Sequence, residues 1–275
     1  MTSTEMVKIS PARDYLWLNI SVLPYFRALM RSIEARFYRE IELPAPTLDV
    51  GCGDGHFASI AFDRPLEVGI DPWGPPIHEA IQWKSYQSLI QGDAGMMPFP
   101  DRHFNSAVSN SVLEHIPHLD EVLVETARVL KPGAPFNFCV PNHRFLENLS
   151  IGHGLDRLGM KSLSNSYRSF FNRISRHYHC DPPEVWCPRL EKAGFHVVKW
   201  WHYYPPEALH VSEWGHYIGV PTLITRKLTG RWILFPTHSN PFMTLIERSL
   251  RPYYDRNPVC ENGVCTFYIA VRTDN

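Results

Sequence analysis

One segment of the sequence, residues 48–55 (LDVGCGDG), constrains the fold more than any other. A short apolar run typical of a β-strand leads into it, and a helical pattern over 56–63 follows it. Glycine reaches backbone angles that are closed to other residues, so its three glycines allow a tight turn that a ligand can approach closely. A strand, a glycine turn and a helix in this order predict a nucleoside-binding α/β domain.

Short apolar runs alternate with helical patterns along most of the chain. Because parallel strands need crossover connections, this alternation predicts a mostly parallel sheet with helices on both faces. Asp181, followed by Pro182 and Glu184, is expected to cap the last helix of this series. The predicted strands are 47–50, 66–70, 88–91, 104–109, 135–140, 196–203 and 264–271, and the predicted helices are 13–22, 24–41, 56–63, 77–84, 118–130 and one from 181 to 194.

The spacing of these elements predicts the domain organisation. The helices before the Pro-rich break at 44–46 form an N-terminal helical cap over 1–45, and the main domain covers 46–275. Two connections, at about 142–180 and 205–258, are longer than ordinary loops, so they are expected to be structured insertions. Ligands of open α/β sheets lie beyond the carboxyl ends of the strands, where the first insertion is placed to form a lid.

The residues around the glycine turn indicate which kind of ligand it accepts. A dinucleotide fingerprint would require glycine at position 56, where this chain has His56. Asp49 would repel a pyrophosphate but attract a positively charged ligand. Asp71, at the end of the second predicted strand, has the separation at which an acid meets ribose hydroxyls. We therefore expect a cationic nucleoside without phosphates.

Four motifs carry a resemblance to a known family. They are 49–55 (DVGCGDG), 92–101 (GDAGMMPFPD), 111–116 (SVLEHI) and 129–133 (VLKPG). Together they resemble the class I S-adenosylmethionine-dependent methyltransferases of type 11, in the subgroup typified by quinone-biosynthesis methyltransferases. The resemblance implies a Rossmann-like, seven-stranded, mostly parallel sheet and S-adenosylmethionine as the cofactor. One departure is Asn105, where the family pattern usually has aspartate.

The resemblance also implies which residues bind the cofactor. The methionine end would be held at the glycine turn, the ribose and adenine at the ends of the next two strands, and the region near the sulfonium at the end of the fourth. In chain order these residues are Asp49, Gly51, Cys52, Gly53, Asp71, Pro72, Trp73, Asp93, Ala94, Asn110, Ser111 and His115. Trp73 would cover the adenine, and Asp93 would accept a hydrogen bond from its amino group.

Methyl transfer from a sulfonium makes modest chemical demands on a protein. The acceptor must be oriented and water excluded, and a base is needed only if the acceptor has to lose a proton. His115, just past the fourth strand, is the first candidate base, and His143, after the fifth strand, is the second. The acceptor is expected to be a small molecule, preferably apolar or aromatic. Two alternatives stay open: a saccharide or lipid-linked glycan acceptor, and a catalytically idle regulatory module that binds S-adenosylmethionine.

Composition limits the partners and the compartment. The 27 basic and 28 acidic side chains balance, which argues against a dedicated nucleic-acid binder, including an RNA methyltransferase. Without a signal-peptide pattern or an uncharged apolar stretch approaching ~20 residues, we expect a cytoplasmic protein with no stable membrane insertion. The six cysteines show no recognised zinc spacing, so reduced thiols and no metal site are expected. The oligomeric state is left open.

Overall fold

The computed structural model describes residues 13–274 of the chain, so the part of the expected N-terminal cap over 1–12 lies outside the described residues. From residue 47 to residue 141 strands and helices alternate, except that the third and fourth strands follow each other without a helix between them. The strands are β1 (Thr47–Val50), β2 (Leu66–Asp71), β3 (Tyr86–Gln91), β4 (Ser106–Asn110), β5 (Pro135–Pro141), β6 (Phe195–Tyr203) and β7 (Cys265–Arg272). The helices are α1 (Tyr15–Ile20), α2 (Tyr25–Arg39), α3 (His56–Ala61), α4 (Gly74–Trp83), α5 (Leu119–Val129), α6 (Arg144–Glu147), α7 (Ser150–Arg157), α8 (Lys161–Ser175), α9 (Pro183–Lys192), α10 (Pro206–Ile218), α11 (Val220–Thr229) and α12 (Pro241–Asp255), and a 3₁₀ turn spans Leu113–His115.

The strands form one sheet, which within residues 13–274 has seven members in the order β3-β2-β1-β4-β5-β7-β6. Strands β1 to β5 pair in parallel, whereas β7 runs antiparallel between β5 and β6. The register places Leu48 of β1 opposite Val68 of β2 and Ala107 of β4. The expected fold class, a mostly parallel Rossmann-like α/β sheet, is confirmed. The order reverses between β1 and β4, which makes the carboxyl ends of these strands the place for a ligand.

Consecutive strand residues belong to two different apolar cores, one on each face of the sheet. Val108 packs with α1, α2, α10 and α12, whereas its neighbour Ala107 packs with α5 and α9. The same switch separates Phe267 from Tyr268 in β7. Because successive side chains of a strand point to opposite faces, this division shows helices covering both faces. The helix expected as an N-terminal cap, α2, therefore lies directly on the sheet.

The two expected insertions are both helical and are joined to each other. The first contains α6 to α8 and the second α10 to α12. Glu213 of α10 is fully buried, and its carboxylate accepts hydrogen bonds from the backbone N–H of Ile151 (3.2 Å) and the hydroxyl of Tyr167 (2.6 Å). On its other side α10 approaches α2 closely, because a Cβ on Gly215 would lie 2.4 Å from the Cβ of Phe26. The two insertions and α2 thus pack together as one continuous layer of helices, which we call the roof.

Several element boundaries differ from the sequence-based prediction. Strand β3 begins two residues early, at Tyr86, and β4 begins at Ser106 because Phe104 instead forms an isolated bridge with Leu130. Asp181 does not cap α9, which begins at Pro183. Pro183 disfavours the helical conformation for the residue before it, so Pro182 is extended (φ −75°, ψ 165°) and the helix cannot begin there. The carboxylate of Asp181 pairs with Arg189 instead (3.3 Å).

Among residues 13–274, no helix has the length and apolar character needed to cross a bilayer.

Candidate active site

The glycine turn links the carboxyl end of β1 to α3. Gly51 and Gly53 both have positive φ, +80° and +54°, a region that glycine occupies without steric strain. A Cβ on Gly51 would lie 2.3 Å from the Cγ1 of Val112, so this glycine is required by packing. A Cβ on Gly53 would meet nothing within 4 Å. Gly53 therefore leaves open space above the turn, where a ligand can reach the backbone.

Asp71, at the end of β2, holds this turn in shape. One carboxylate oxygen accepts a hydrogen bond from the N–H of Gly53 (3.0 Å) and the other from the N–H of Trp73 (2.9 Å). Burial raises the pKa of Asp71 above its ordinary value, and the two hydrogen bonds oppose the rise. A ligand hydroxyl placed here would share a carboxylate that is already oriented by the backbone.

Asp49, in β1, is buried under the turn. Its Oδ2 accepts a hydrogen bond from the hydroxyl of Tyr86 (2.6 Å). Burial raises the pKa of Asp49 to about 7, with the hydrogen bond from Tyr86 opposing the rise and the charge of Asp71 adding to it. Sequence reasoning missed Tyr86, because it lies on β3 and only the pairing of β3 with β2 brings it near.

Asp93 follows β3 at the same edge of the sheet and is half-exposed. Its Oδ1 accepts hydrogen bonds from the N–H of Gly95 (2.8 Å) and from Nε2 of His118 (2.9 Å). The bond from Gly95 and then the bond from His118 hold the pKa of Asp93 below its ordinary value. Asp93 is therefore an ionised acceptor at neutral pH, and His118 is a further residue that the sequence did not indicate.

A cavity of about 1190 Å³ lies over the carboxyl ends of the strands. The structure brings nearly all of the proposed cofactor-binding residues to its wall, and their role in binding stays a prediction. Trp73, with 66% of its surface exposed, borders the cavity and leaves room for a ring to stack on it. The proposed residues that line the cavity are Asp49, Gly51, Cys52, Gly53, Asp71, Pro72, Trp73, Asp93, Ala94, Asn110 and His115.

Two of the proposed residues lie elsewhere. Ser111 points away from the cavity, and its hydroxyl donates to the carboxylate of Glu34 (2.9 Å). His143 is exposed at the start of α6 and is not part of the cavity wall, so the structure does not support it as a candidate base.

The remaining wall of the cavity comes from α2 and the two insertions. Arg27 and Arg31 project from α2, and the other wall residues of these segments are mainly apolar or imidazole. This composition separates an acidic, polar floor from a roof with apolar and histidine side chains. Roof residues include Phe26, Met30, Phe145, Phe171, His177, Leu209 and His216.

Glu34 of α2 is hydrogen-bonded to residues at the end of β4 and so supports the floor of the cavity. It is fully buried, and its carboxylate accepts hydrogen bonds from Arg31 (3.0 Å), Asn110 (2.7 Å), Ser111 (2.9 Å) and the hydroxyl of Tyr203 (2.9 Å). These bonds tie the end of β4 to α2 and to β6. Sequence reasoning could not identify Glu34, because it resembles an ordinary polar position of an amphipathic helix.

The imidazoles of His115 and His177 in the cavity wall are neutral at physiological pH. Burial lowers the pKa of His115 below its ordinary value and lowers that of His177 to about 3. Nδ1 of His115 lies 3.1 Å from the carbonyl oxygen of Arg176, which can only accept, so Nδ1 carries the proton and Nε2 carries a lone pair. Burial also raises the pKa of the neighbouring Glu114 to about 8.

The segment that carries the glycine turn is similar to known proteins. The family model described as "Methyltransferase domain" matches residues 48–138, which contain the glycine turn and the ends of β2 to β4. Residues 48–138 are a class I methyltransferase domain of type 11. S-adenosylmethionine is the cofactor of this family.

Curated relatives of this methyltransferase domain act on different molecules. The chain is 36% identical over 104 residues to a fatty-acid O-methyltransferase of Mycolicibacterium smegmatis, covering 36% of this chain and 38% of the relative. It is 25% identical over 219 residues to a sterol 24-C-methyltransferase of Aspergillus fumigatus, covering 70% and 57%. A ubiquinone/menaquinone biosynthesis C-methyltransferase of Pseudomonas aeruginosa is 31% identical over 119 residues, covering 40% and 45%. The chain thus spans between about two fifths and three fifths of these relatives' lengths.

Solved structures share the fold of the methyltransferase domain and its surroundings. A possible histamine N-methyltransferase of Thermotoga maritima aligns with a TM-score of 0.56 at 14% identity, over 90% of this chain and 92% of that chain. The [4+2]-cyclase SpnF aligns with a TM-score of 0.54 at 17% identity, over 90% and 83%. At these identities the similarity concerns the fold alone.

The residues present fit S-adenosylmethionine. Gly53 leaves space where a side chain would otherwise project, and acidic Asp49 and Asp71 lie beside that space. Carboxylates at this position favour the ammonium and sulfonium charges of the cofactor over a phosphate. The half-exposed Asp93 and the exposed ring of Trp73 border the same cavity.

Proposed function

We propose that this protein transfers a methyl group from S-adenosylmethionine to a small-molecule acceptor with an apolar or aromatic body. The observation that carries the proposal is the single cavity shared by the acidic glycine turn and the apolar, histidine-containing roof. The floor suits a charged nucleoside, and the roof suits an acceptor with apolar surface. The fatty-acid, sterol and quinone acceptors named for the relatives support an apolar body.

In this proposal the floor residues bind and orient the cofactor. Asp49, Gly51, Cys52 and Gly53 hold its methionine end, and Asp71 with Pro72 holds its ribose. Trp73, Asp93 and Ala94 hold the adenine, and Asn110 lies near the sulfonium with Ser111 and Glu34 fixing the strand behind it. Bound in this way, the cofactor supplies an activated methyl group on a sulfonium.

The roof residues orient the acceptor and exclude water. Phe145 and Phe171 are buried in the first insertion, and Leu209 is buried in the second. Together they place apolar surface opposite the floor, so that an acceptor oxygen, nitrogen or carbon can be held in line with the methyl group. The lone pair on Nε2 of His115 points into this region and can interact with a hydroxyl of the acceptor.

The test is turnover with a labelled cofactor. The full chain is incubated with S-adenosylmethionine carrying a labelled methyl group and with fatty acids, sterols, reduced quinones and saccharides in parallel. We expect label in an apolar acceptor together with the demethylated cofactor. Label in saccharides alone would contradict the apolar preference, and cofactor binding without any turnover in a cell extract would indicate an idle module. A turnover assay is decisive here because the [4+2]-cyclase SpnF shares the fold.

A further inference from the structure

A cluster of side chains of metal-ligating types joins the end of β4 to the roof of the cavity, and it includes His115 from the proposed cofactor-binding residues. Glu114 and His115 come from the 3₁₀ turn after β4, and His177 comes from the end of the first insertion. One ligand atom from each side chain lies within 4.8 Å of the others. His115 and His177 both border the cavity, so the cluster faces the space in which the acceptor is expected.

Two of these three groups have buried polar atoms without a hydrogen-bond partner among the described residues. Since Nδ1 of His115 donates to the carbonyl of Arg176, its Nε2 presents a lone pair, and this atom lies 3.6 Å from Oε1 of Glu114. Glu114 is 98% buried (2% exposed), and its Oε2 has no hydrogen-bond partner among the described residues. Nδ1 of His177 is buried and equally without a partner in the described part of the chain. Buried polar atoms without partners are unfavourable, and a metal ion bound by the deprotonated carboxylate and the two imidazoles would satisfy them.

The separation of His115 and Glu114 suits a shared metal ion better than a hydrogen bond. A separation of 3.6 Å between nitrogen and oxygen is too long for a hydrogen bond. Two ligand atoms, each about 2.1 Å from a zinc ion at a tetrahedral angle, lie about 3.4 Å apart. Two imidazoles and one carboxylate are also a ligand set that leaves the fourth position of zinc open.

The backbone holds the two halves of the cluster together. The carbonyl oxygen of Glu114 accepts hydrogen bonds from the N–H of Tyr178 (2.7 Å) and of His179 (3.3 Å). Nε2 of His179 lies 3.0 Å from the carbonyl of Ile116. The segment after α8 is therefore attached directly to the 3₁₀ turn. The proton of His115 on the carbonyl of Arg176 fixes the ring, as a second-shell partner does for a metal-bound histidine.

We propose that Glu114, His115 and His177 bind a divalent transition-metal ion of the zinc type, with its open position directed into the cavity. A metal ion there would bind the oxygen of an acceptor hydroxyl and lower its pKa, so that the proton passes to solvent water before attack. The oxygen–methyl bond would then form as the sulfur–methyl bond breaks, with the demethylated cofactor as the leaving group. In that arrangement His115 is a ligand and not a base. The catalytic role rests on the proposed methyl transfer, whereas metal binding does not.

Metal binding can be measured without any acceptor or turnover. The full chain, stripped with a chelator, is titrated with Zn²⁺ by calorimetry, and retained zinc is quantified by mass spectrometry after gel filtration. We expect one ion per chain in the parent protein and in the control variant His153→Gln, which changes an exposed histidine of the same insertion. In His177→Gln we expect at least about a 100-fold weaker association, since even losses in the second shell cost 10- to 100-fold.

A second variant and a spectroscopic probe keep the result unambiguous. Glu114→Gln removes the carboxylate charge at nearly constant volume, and a thermal unfolding scan checks that each variant is folded. Co²⁺ substitution should give visible bands typical of nitrogen and oxygen ligands, and these bands should be lost in His177→Gln. Bands of cobalt–thiolate charge transfer would place the ion on one of the six free cysteines and overturn the proposal. Unchanged zinc affinity in folded His177→Gln, or no binding by the parent, would overturn it equally.

Discussion

Because the carboxyl of Asp49 is buried, we expect the free energy of unfolding of this protein to depend on pH in a way that can be calculated. The pKa of this carboxyl is 3.8 in an unfolded chain and about 7 in the folded protein, where burial is the main cause. Between about pH 4 and about pH 7 the folded state keeps a proton that the unfolded state has lost, so stability falls as pH rises. Above pH 7 the ionised carboxyl costs the folded protein about 4 kcal/mol, at about 1.4 kcal/mol for each pH unit between the two pKa values. The variant Asp49→Asn removes this dependence.

Chemical denaturation of the cofactor-free protein measures the effect. The free energy of unfolding of Asp49→Asn, relative to the parent, should increase by about 2.5 kcal/mol between about pH 5 and about pH 8. Asp93→Asn is the matched control, because the pKa of Asp93 is below its ordinary value and its contribution is constant across that range. Asp49→Asn also alters the hydrogen bond from Tyr86. Any part of this effect that is the same at both pH values cancels when the variant-minus-parent free energy at the lower pH is subtracted from that at the higher pH.

Cofactor binding should show the opposite pH dependence from stability. A cationic cofactor favours ionised Asp49, so binding below about pH 7 must release its proton, and affinity should weaken about tenfold for each pH unit below that value. Calorimetry in buffers of different ionisation enthalpy detects the released proton. Equal stability changes in Asp49→Asn and Asp93→Asn, or a cofactor affinity in Asp49→Asn equal to that of the parent, would refute the reasoning.

The remaining predictions concern the turn and the roof. Gly53→Ala should weaken cofactor binding at least about tenfold and lower the free energy of unfolding by about 1 kcal/mol. Gly51→Ala should lower the free energy of unfolding by several kcal/mol, measured by thermal unfolding, because its Cβ would overlap Val112. Asp71→Ala should lower both cofactor affinity and stability, because it removes an acceptor for two backbone N–H groups; an affinity equal to the parent's would disprove its ribose role. Glu213→Gln should destabilise the protein by about 2 kcal/mol in urea denaturation, since it weakens charge-assisted bonds between the insertions; an unchanged midpoint would show that the roof does not depend on this link.

Local patterns in the sequence were sufficient for much of the fold. The alternation of strand and helix, the glycine turn and the long connections at 142–180 and 205–258 all follow from residue order. They determine the fold class because strand, turn and helix each depend on neighbours a few positions away, whereas the cofactor followed from the resemblance of four motifs to a known family. The same dependence explains the error at Asp181, where two prolines altered a cap that the pattern alone favours.

Only the tertiary structure decided which distant side chains meet at the site. Tyr86 reaches Asp49 across 37 positions, Tyr203 reaches Glu34 across 169, and Arg176 meets His115 across 61. Strand order and the packing of the insertions on α2 set these contacts, and neither is encoded in a local pattern. For this reason the sequence identified the carboxylates of the floor, whereas the pKa of Asp49 and the cluster around Glu114 emerged only from the folded chain.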